Sequence, residues 1–147
     1  MKASTIKILQ ALMQNSKLSD RKIADGVGVS QPTVTRQRHA MEKSDIIQGY
    51  ITLVDLAKLG FEIEAYSIIP QKNINVDDLK SDRRVIFVKK LAAANNDKLL
   101  VMSVHKNYAD YDTFAIRYKI SEGDSFLALA STEPIKSFGF GDIEIVT

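Results

Sequence analysis

The sequence predicts an α+β protein in which an N-terminal winged helix-turn-helix is followed by a ferredoxin-like βαββαβ domain. Two short capped helical patterns meet at a glycine corner between Leu18 and Tyr50. Beyond Gly60 the pattern turns to β-branched alternation, and from Glu62 onward the elements follow the order β-α-β-β-α-β. These features divide the chain into residues 1–54, a connector over 55–61, and a second domain over 62–147.

Met1 to Asn15 is amphipathic, with Lys7, Gln10 and Gln14 interrupting its apolar positions. It is expected to be a helix and not a secretion signal. Ser19 can cap a second helix that carries Ile23 and Ala24 on one face. Val27-Gly28-Val29 then supplies a corner residue that tolerates positive φ. Ser30 is placed to cap a third helix beginning near Gln31, where Pro32 has no N–H to waste in the first turn.

Winding Gln31 to Lys43 at about 3.6 residues per turn sets Val34 and Met41 inward, with Gln37 and Arg38 beside them. Pro32, Thr33, Thr35, Arg36, His39, Ala40 and Lys43 fall on the outer face. A solvated surface is the plain explanation for any helix bearing cations. The capped preceding helix, the glycine corner and an expected hairpin together favour contact with duplex DNA. Ser30 and Gln31 stand at the helix start, where Gln31 suits an adenine edge. Thr33 and Thr35 suit phosphates or a thymine methyl, and the planar fork of Arg36 suits guanine O6 and N7. His39 shares that face, while Lys43 and Gln48, the latter in the expected wing, are placed to hold the backbone.

In the second half, Glu62 to Ile69, Arg84 to Ala92 and Lys98 to His105 are expected strands, and Ile135 to Val146 the last one. Asn73 to Ser81 suits one or two helical turns, and Asn107 to about Lys119 a capped helix. Tyr108, Tyr111, Phe114, Ala115 and Tyr118 recur at helical spacing, which packing against the sheet explains. Asn95-Asn96-Asp97 is a turn cluster, and Phe138-Gly139-Phe140-Gly141 suggests a bulge or a close backbone approach. An antiparallel sheet with two helices on one face leaves its other face to be covered, and a two-fold dimer is the simplest cover.

KILQALMQN, LSDRKIADGVGVSQPTVTR, DIIQGY and DLAKLGF together resemble the N-terminal domain of the Lrp/AsnC family of feast/famine transcriptional regulators. The element order of the second half extends the resemblance over the whole chain. It implies a regulator of double-stranded DNA that binds a pseudo-palindromic site as a dimer or higher oligomer, with a small-molecule effector such as an amino acid. In that family the turn before the third strand lies near the ligand pocket, which would carry an effector role to Asn95, Asn96 and Asp97. A plain turn of good turn formers is the alternative there, since the family's glycine is absent. Position 38, usually small and apolar in the family, is Arg38, which must snorkel or pair with Asp20 or Asp45.

The same architecture also resembles siroheme decarboxylases, for which the candidate groups would be His105 with Lys106 or Arg117, and Arg83-Arg84. The polar outer face of Gln31 to Lys43 favours the regulator, for which no catalytic residue, cofactor or metal is expected. A ligand-independent architectural DNA-binding protein is a third reading.

Composition agrees with a globular chain: 147 residues, 45% hydrophobic and 26% charged, without cysteine. Disulfides, thiolate nucleophiles and Cys-based metal sites are therefore excluded. No run approaches the roughly 18–20 apolar residues of a membrane span, and a cytoplasmic protein is expected. Net charge is +2, but residues 1–49 hold eight Lys/Arg against four Asp/Glu, so the basic excess sits with the helix-turn-helix.

Overall fold

The computed structural model describes residues 1–72, 74–92, 97–134, 140 and 145. The chain divides into two compact units, one built on Met1–Leu53 and the other spanning Val54–Pro134.

The first unit holds α1 (Ala3–Gln14), α2 (Asp20–Val27) and α3 (Gln31–Lys43). Ile8 and Leu12 of α1, Ile23 and Ala24 of α2, and Val34 and Met41 of α3 form its buried core. The spacing of these pairs places each on one stripe of its helix, so three short amphipathic helices can share a single core. The Ser19 hydroxyl accepts from the Lys22 N–H to start α2, and Gly28 ends it in the left-handed region at φ 76°.

At the start of α3 the expected cap differs. The Ser30 hydroxyl makes no bond to the backbone and instead meets Thr33 Oγ1 at 2.8 Å. Pro32 has no N–H to offer, and the Thr33 N–H is already given to the Ser30 carbonyl at 3.0 Å. At the other end of α3, Asp45 takes φ 54°, its N–H bonds Glu42 O, and the Ile46 N–H returns to Met41 O. This closure satisfies carbonyls that the last helical turn would otherwise leave open. Residues 48–54, where the hairpin of the wing was expected, contain no assigned strand. Asp55 to Gly60 forms a turn in which Asp55 Oδ1 accepts the Lys58 N–H and Gly60 adopts φ 87°.

The second unit contains β1 (Ile63–Pro70), α4 (Val76–Ser81), β2 (Val85–Leu91), β3 (Lys98–His105), α5 (Tyr108–Arg117) and β4 (Asp124–Leu129). The strands pair antiparallel in the order β2-β3-β1-β4, the ferredoxin-like arrangement. Asn75 caps α4, and Asn107 caps α5 by accepting the Asp110 N–H at 3.0 Å. Ile69, Leu79, Leu99, Val101, Phe114, Tyr118 and Ile120 form the core between sheet and helices. Tyr111, Phe114 and Tyr118 lie in the core as their spacing predicts, whereas Tyr108, the first residue of α5, is 64% exposed.

The fourth strand is Asp124–Leu129, not the expected Ile135 to Val146. The latter segment, with Phe138-Gly139-Phe140-Gly141, lies outside the described residues except for Phe140 and Ile145. An edge strand that begins with aspartate and holds Ala128 lacks the β-branched run that marks central strands. Gly123 leads into it pressed against β1, where a Cβ would stand 2.1 Å from the Ile68 carbonyl oxygen.

Ile63, Ala65, Ser67 and Ile69 of β1 are buried toward the helices. Their neighbours project from the opposite face. There Tyr66 lies opposite Met102 and Phe126, and Phe87 lies opposite Met102, so Phe87, Met102, Tyr66 and Phe126 form one row across the sheet. The row is open, with Phe87 46%, Tyr66 37% and Phe126 65% exposed.

Candidate nucleic-acid interface

The outer face of α3 presents Gln31, Pro32, Arg36, His39, Ala40 and Lys43 to solvent, with Thr33 and Thr35 half-buried. Arg36, Lys43 and Gln48 are exposed, and none has a side-chain partner within the described residues. Their donors are thus available to an external acceptor, the condition for contact with phosphates or base edges.

Two side chains behind this face are held by one carboxylate. Asp20 at the start of α2 accepts from Arg38 Nη2 through Oδ1 at 2.6 Å and from the Thr35 hydroxyl through Oδ2 at 2.6 Å. Arg38 Nη2 also donates to Leu18 O at 3.3 Å. Of the partners open to Arg38, it takes Asp20. Thr35 was expected among the DNA contacts, but its hydroxyl is committed within the domain and only its methyl remains available. Ser30 and Thr33 share one hydrogen bond at 2.8 Å, which uses one hydroxyl proton and leaves the other for an external acceptor.

His39 Nδ1 lies 3.1 Å from Glu42 Oε2, and the Tyr50 hydroxyl donates to Glu42 Oε1 at 2.9 Å. The Tyr50 bond, followed by that of His39, holds the Glu42 carboxyl below its ordinary range. The anion restrains both the residue expected to face DNA and the segment that follows α3. Arg21 and Lys22, exposed in the first turn of α2 and without side-chain partners among the described residues, add two cations that the sequence reading did not single out. Their position directly after the capping Ser19 was the available signal.

In the second unit, Asp97 is exposed and pairs with Lys90 at 2.8 Å, while its carbonyl accepts the Gln71 N–H. Asn95 and Asn96 lie outside the described residues. Beside Asp97, the side-chain oxygen of Gln71 is buried without a hydrogen-bond partner.

His105 is fully buried between Tyr111 and Phe114, at ring-centroid distances of 5.3 and 5.0 Å. Its Nε2 meets Ser103 Oγ at 2.9 Å, and its Nδ1 stands 3.8 Å from Asp110 Oδ2. Burial pushes the imidazole pKa down. Arg84 is fixed by Asp82 at 2.7 Å and Asp110 at 3.1 Å, and Arg117 by Asp78 at 2.7 Å. Arg83 and Lys106 are exposed. The side chains considered for tetrapyrrole chemistry are therefore divided between the interior, internal ion pairs and solvent.

Residues 1–48 match the family model described as winged helix-turn-helix DNA-binding. The leucine-responsive regulatory protein of Rhizobium meliloti is 24% identical over 124 residues, covering 78% of this chain and 76% of that protein. An AsnC family transcriptional regulator from Agrobacterium tumefaciens superposes with a TM-score of 0.70 at 25% identity, over 93% of this chain and 94% of the other. A Neisseria meningitidis transcriptional regulator, solved as a complex with L-Met, shares the fold with a TM-score of 0.72 at 19% identity, over 93% of each chain.

Fold and exposed helix face together define a helix-turn-helix transcriptional regulator with an appended ferredoxin-like domain. Over most of its length the chain is similar to regulators of the Lrp/AsnC type.

Proposed function

We propose that the protein binds a pseudo-palindromic duplex site as a dimer or higher oligomer, each α3 entering a major groove about 34 Å from its symmetry mate. The observation that carries this reading is the outer face of α3, on which Arg36 and Lys43 remain exposed and unpaired while Arg38 is neutralised behind them by Asp20. Residues 1–54 act as the DNA-binding domain, 55–61 as connector, and 62–147 as the assembly and effector domain. Gln31 and Arg36 read base edges. Ser30, Thr33, His39, Lys43 and Gln48 hold the backbone, and Thr35 offers its methyl.

A second copy covers the open sheet face, because a row of exposed aromatic side chains is costly to leave in water. A small-molecule effector of the amino-acid class binds near Asp97, a reading supported by the L-Met complex of the Neisseria protein and by the unpartnered Gln71 oxygen. The protein works without chemistry of its own, in the cytoplasm with the DNA it regulates.

Selection of duplexes from a random library with wild type and Arg36→Ala in parallel tests this function. The expected result is an inverted repeat enriched by wild type and relaxed at one base position by the variant. Enrichment of no sequence by wild type would overturn sequence-specific regulation.

A further inference from the structure

A carboxylate can only accept a hydrogen bond, so a histidine nitrogen bonded to one must carry the ring proton. His39 Nδ1 stands 3.1 Å from Glu42 Oε2, one turn further along α3. The other carboxylate oxygen accepts the Tyr50 hydroxyl at 2.9 Å. These two bonds hold the Glu42 carboxyl below its ordinary range, so it is an anion at neutral pH. The neutral His39 ring therefore keeps its one proton on Nδ1, and Nε2 is left as a bare lone pair. The ring is 72% exposed, and Nε2 has no partner among the described residues.

Glu42 is alone in this role among the described residues. α1 and α2 pack on the stripe of α3 that carries Val34 and Met41, on the far side of the helix from His39. Asp20, the acid that α2 turns toward α3, is held by Arg38 and Thr35. Arg36 and Lys43 stand one turn before and after His39 on its own helix, and both are cations that can only donate. Tyr50, from the segment after α3, bonds Glu42 and not the ring.

A phosphate oxygen of DNA is likewise an acceptor. With Nδ1–H given to Glu42, a neutral His39 turns a lone pair toward such an oxygen and repels it. The imidazolium carries a second N–H on Nε2 and can donate to the phosphate while Nδ1–H stays on Glu42. Histidine is the side chain that changes charge between about pH 5 and 8.

Resting on the reading of α3 as the helix that contacts DNA, we propose that Glu42 is a positioning residue that fixes the His39 proton on Nδ1, so that His39 holds a DNA phosphate only when it takes up a second proton. Duplex binding is thereby coupled to proton uptake at each α3, and the phosphate and the proton strengthen each other by the same factor.

Binding of the full chain to a mixed-sequence duplex is measured at about pH 6 and about pH 8 at one ionic strength, for wild type, His39→Gln and Glu42→Gln. Circular dichroism at each pH confirms the fold. A mixed sequence suffices, since a phosphate contact does not depend on the bases. Nitrogen NMR of the imidazoles in the free chain reads the tautomer at the higher pH, and His39→Gln separates its signal from that of His105. Wild type should show the Nδ1–H form and bind about tenfold more tightly at the lower pH. In Glu42→Gln the amide carbonyl can keep the Tyr50 bond while the amide N–H donates to Nδ1, which moves the proton of the neutral ring to Nε2. The phosphate contact then no longer requires proton uptake, and the pH effect should fall below about threefold. His39→Gln should lose the pH effect as well. A Glu42→Gln variant as pH-sensitive as wild type, or a wild-type ring protonated on Nε2 when neutral, would overturn the role of Glu42. Wild type that binds equally at both pH values would overturn the proposal and leave the DNA reading intact, whereas wild type that binds at neither would overturn both.

Discussion

Arg38 and Asp20 form a salt bridge of 2.6 Å between the middle of α3 and the first residue of α2, with both side chains mostly shielded from water. The guanidinium reaches from α3 to α2, and the carboxylate at the helix start receives it. Removing only the acid strands a half-buried cation, so Asp20→Ala should cost about 2–3 kcal/mol. The double variant Asp20→Ala/Arg38→Leu should lie within about 1 kcal/mol of wild type, because apolar residues can replace a shielded pair of charges together at little loss. Urea unfolding followed by helical signal checks both, and a double variant no more stable than Asp20→Ala would contradict this account.

Arg36 should show the other behaviour, leaving stability unchanged and DNA recognition impaired. Arg36→Ala is expected to weaken a specific site by about 1–3 kcal/mol and to relax one base position. Lys43→Ala should weaken all sequences alike and lower the salt slope of binding by about one. Titrations at several salt concentrations separate the two, and an Arg36→Ala loss that is uniform over sequences would assign that residue to phosphate.

Gly123 has no room for a side chain, since a Cβ would lie 2.1 Å from the Ile68 carbonyl oxygen and 2.9 Å from the Ile69 Cα. Both obstacles are backbone and cannot rotate away. Gly123→Ala should therefore destabilise the second unit by about 2–3 kcal/mol, near the upper end of overpacking costs. Thermal unfolding measures this, and a variant as stable as wild type would show that the β1–β4 edge can shift freely.

His105 gives the protein a pH-dependent stability of predictable sign. Burial lowers its pKa in the fold, so the unfolded chain binds the proton more readily. Its contribution is fully present above the ordinary histidine value near 6.5 and is lost as pH falls through that value toward the lower folded one. Asp82, held at about 2 chiefly by the Arg84 hydrogen bond, adds a second loss between its ordinary 3.8 and that value. His105→Gln should flatten the stability profile as pH falls below the ordinary histidine value near 6.5, while leaving the Asp82 decline in place. A wild-type profile already flat there would refute the assignment.

The helices were legible because each carries its own punctuation: Ser19 and Gly28 around α2, Asn107 before α5, and apolar pairs at helical spacing throughout. β1 and β3 were legible because a buried strand alternates or is densely apolar. β4 was not, since an exposed edge strand is specified by its neighbour more than by its own residues. The same distinction runs through the candidate site. Arg36 could be placed from periodicity alone, whereas the commitment of Thr35 depends on Asp20, 15 positions earlier, and becomes visible only when α2 and α3 are packed.

Side chains in a strand alternate between faces, so sliding β4 by one position along β1 would exchange everything it displays. Phe126 would turn inward, and Ser125 would leave the serine–serine bond of 2.9 Å that it shares with Ser67. The tight seat of Gly123 on Ile68 fixes where the chain enters β4 and so rules out that slip. Which surface the sheet offers to a second molecule is thereby decided by the one residue in the strap that has no side chain at all.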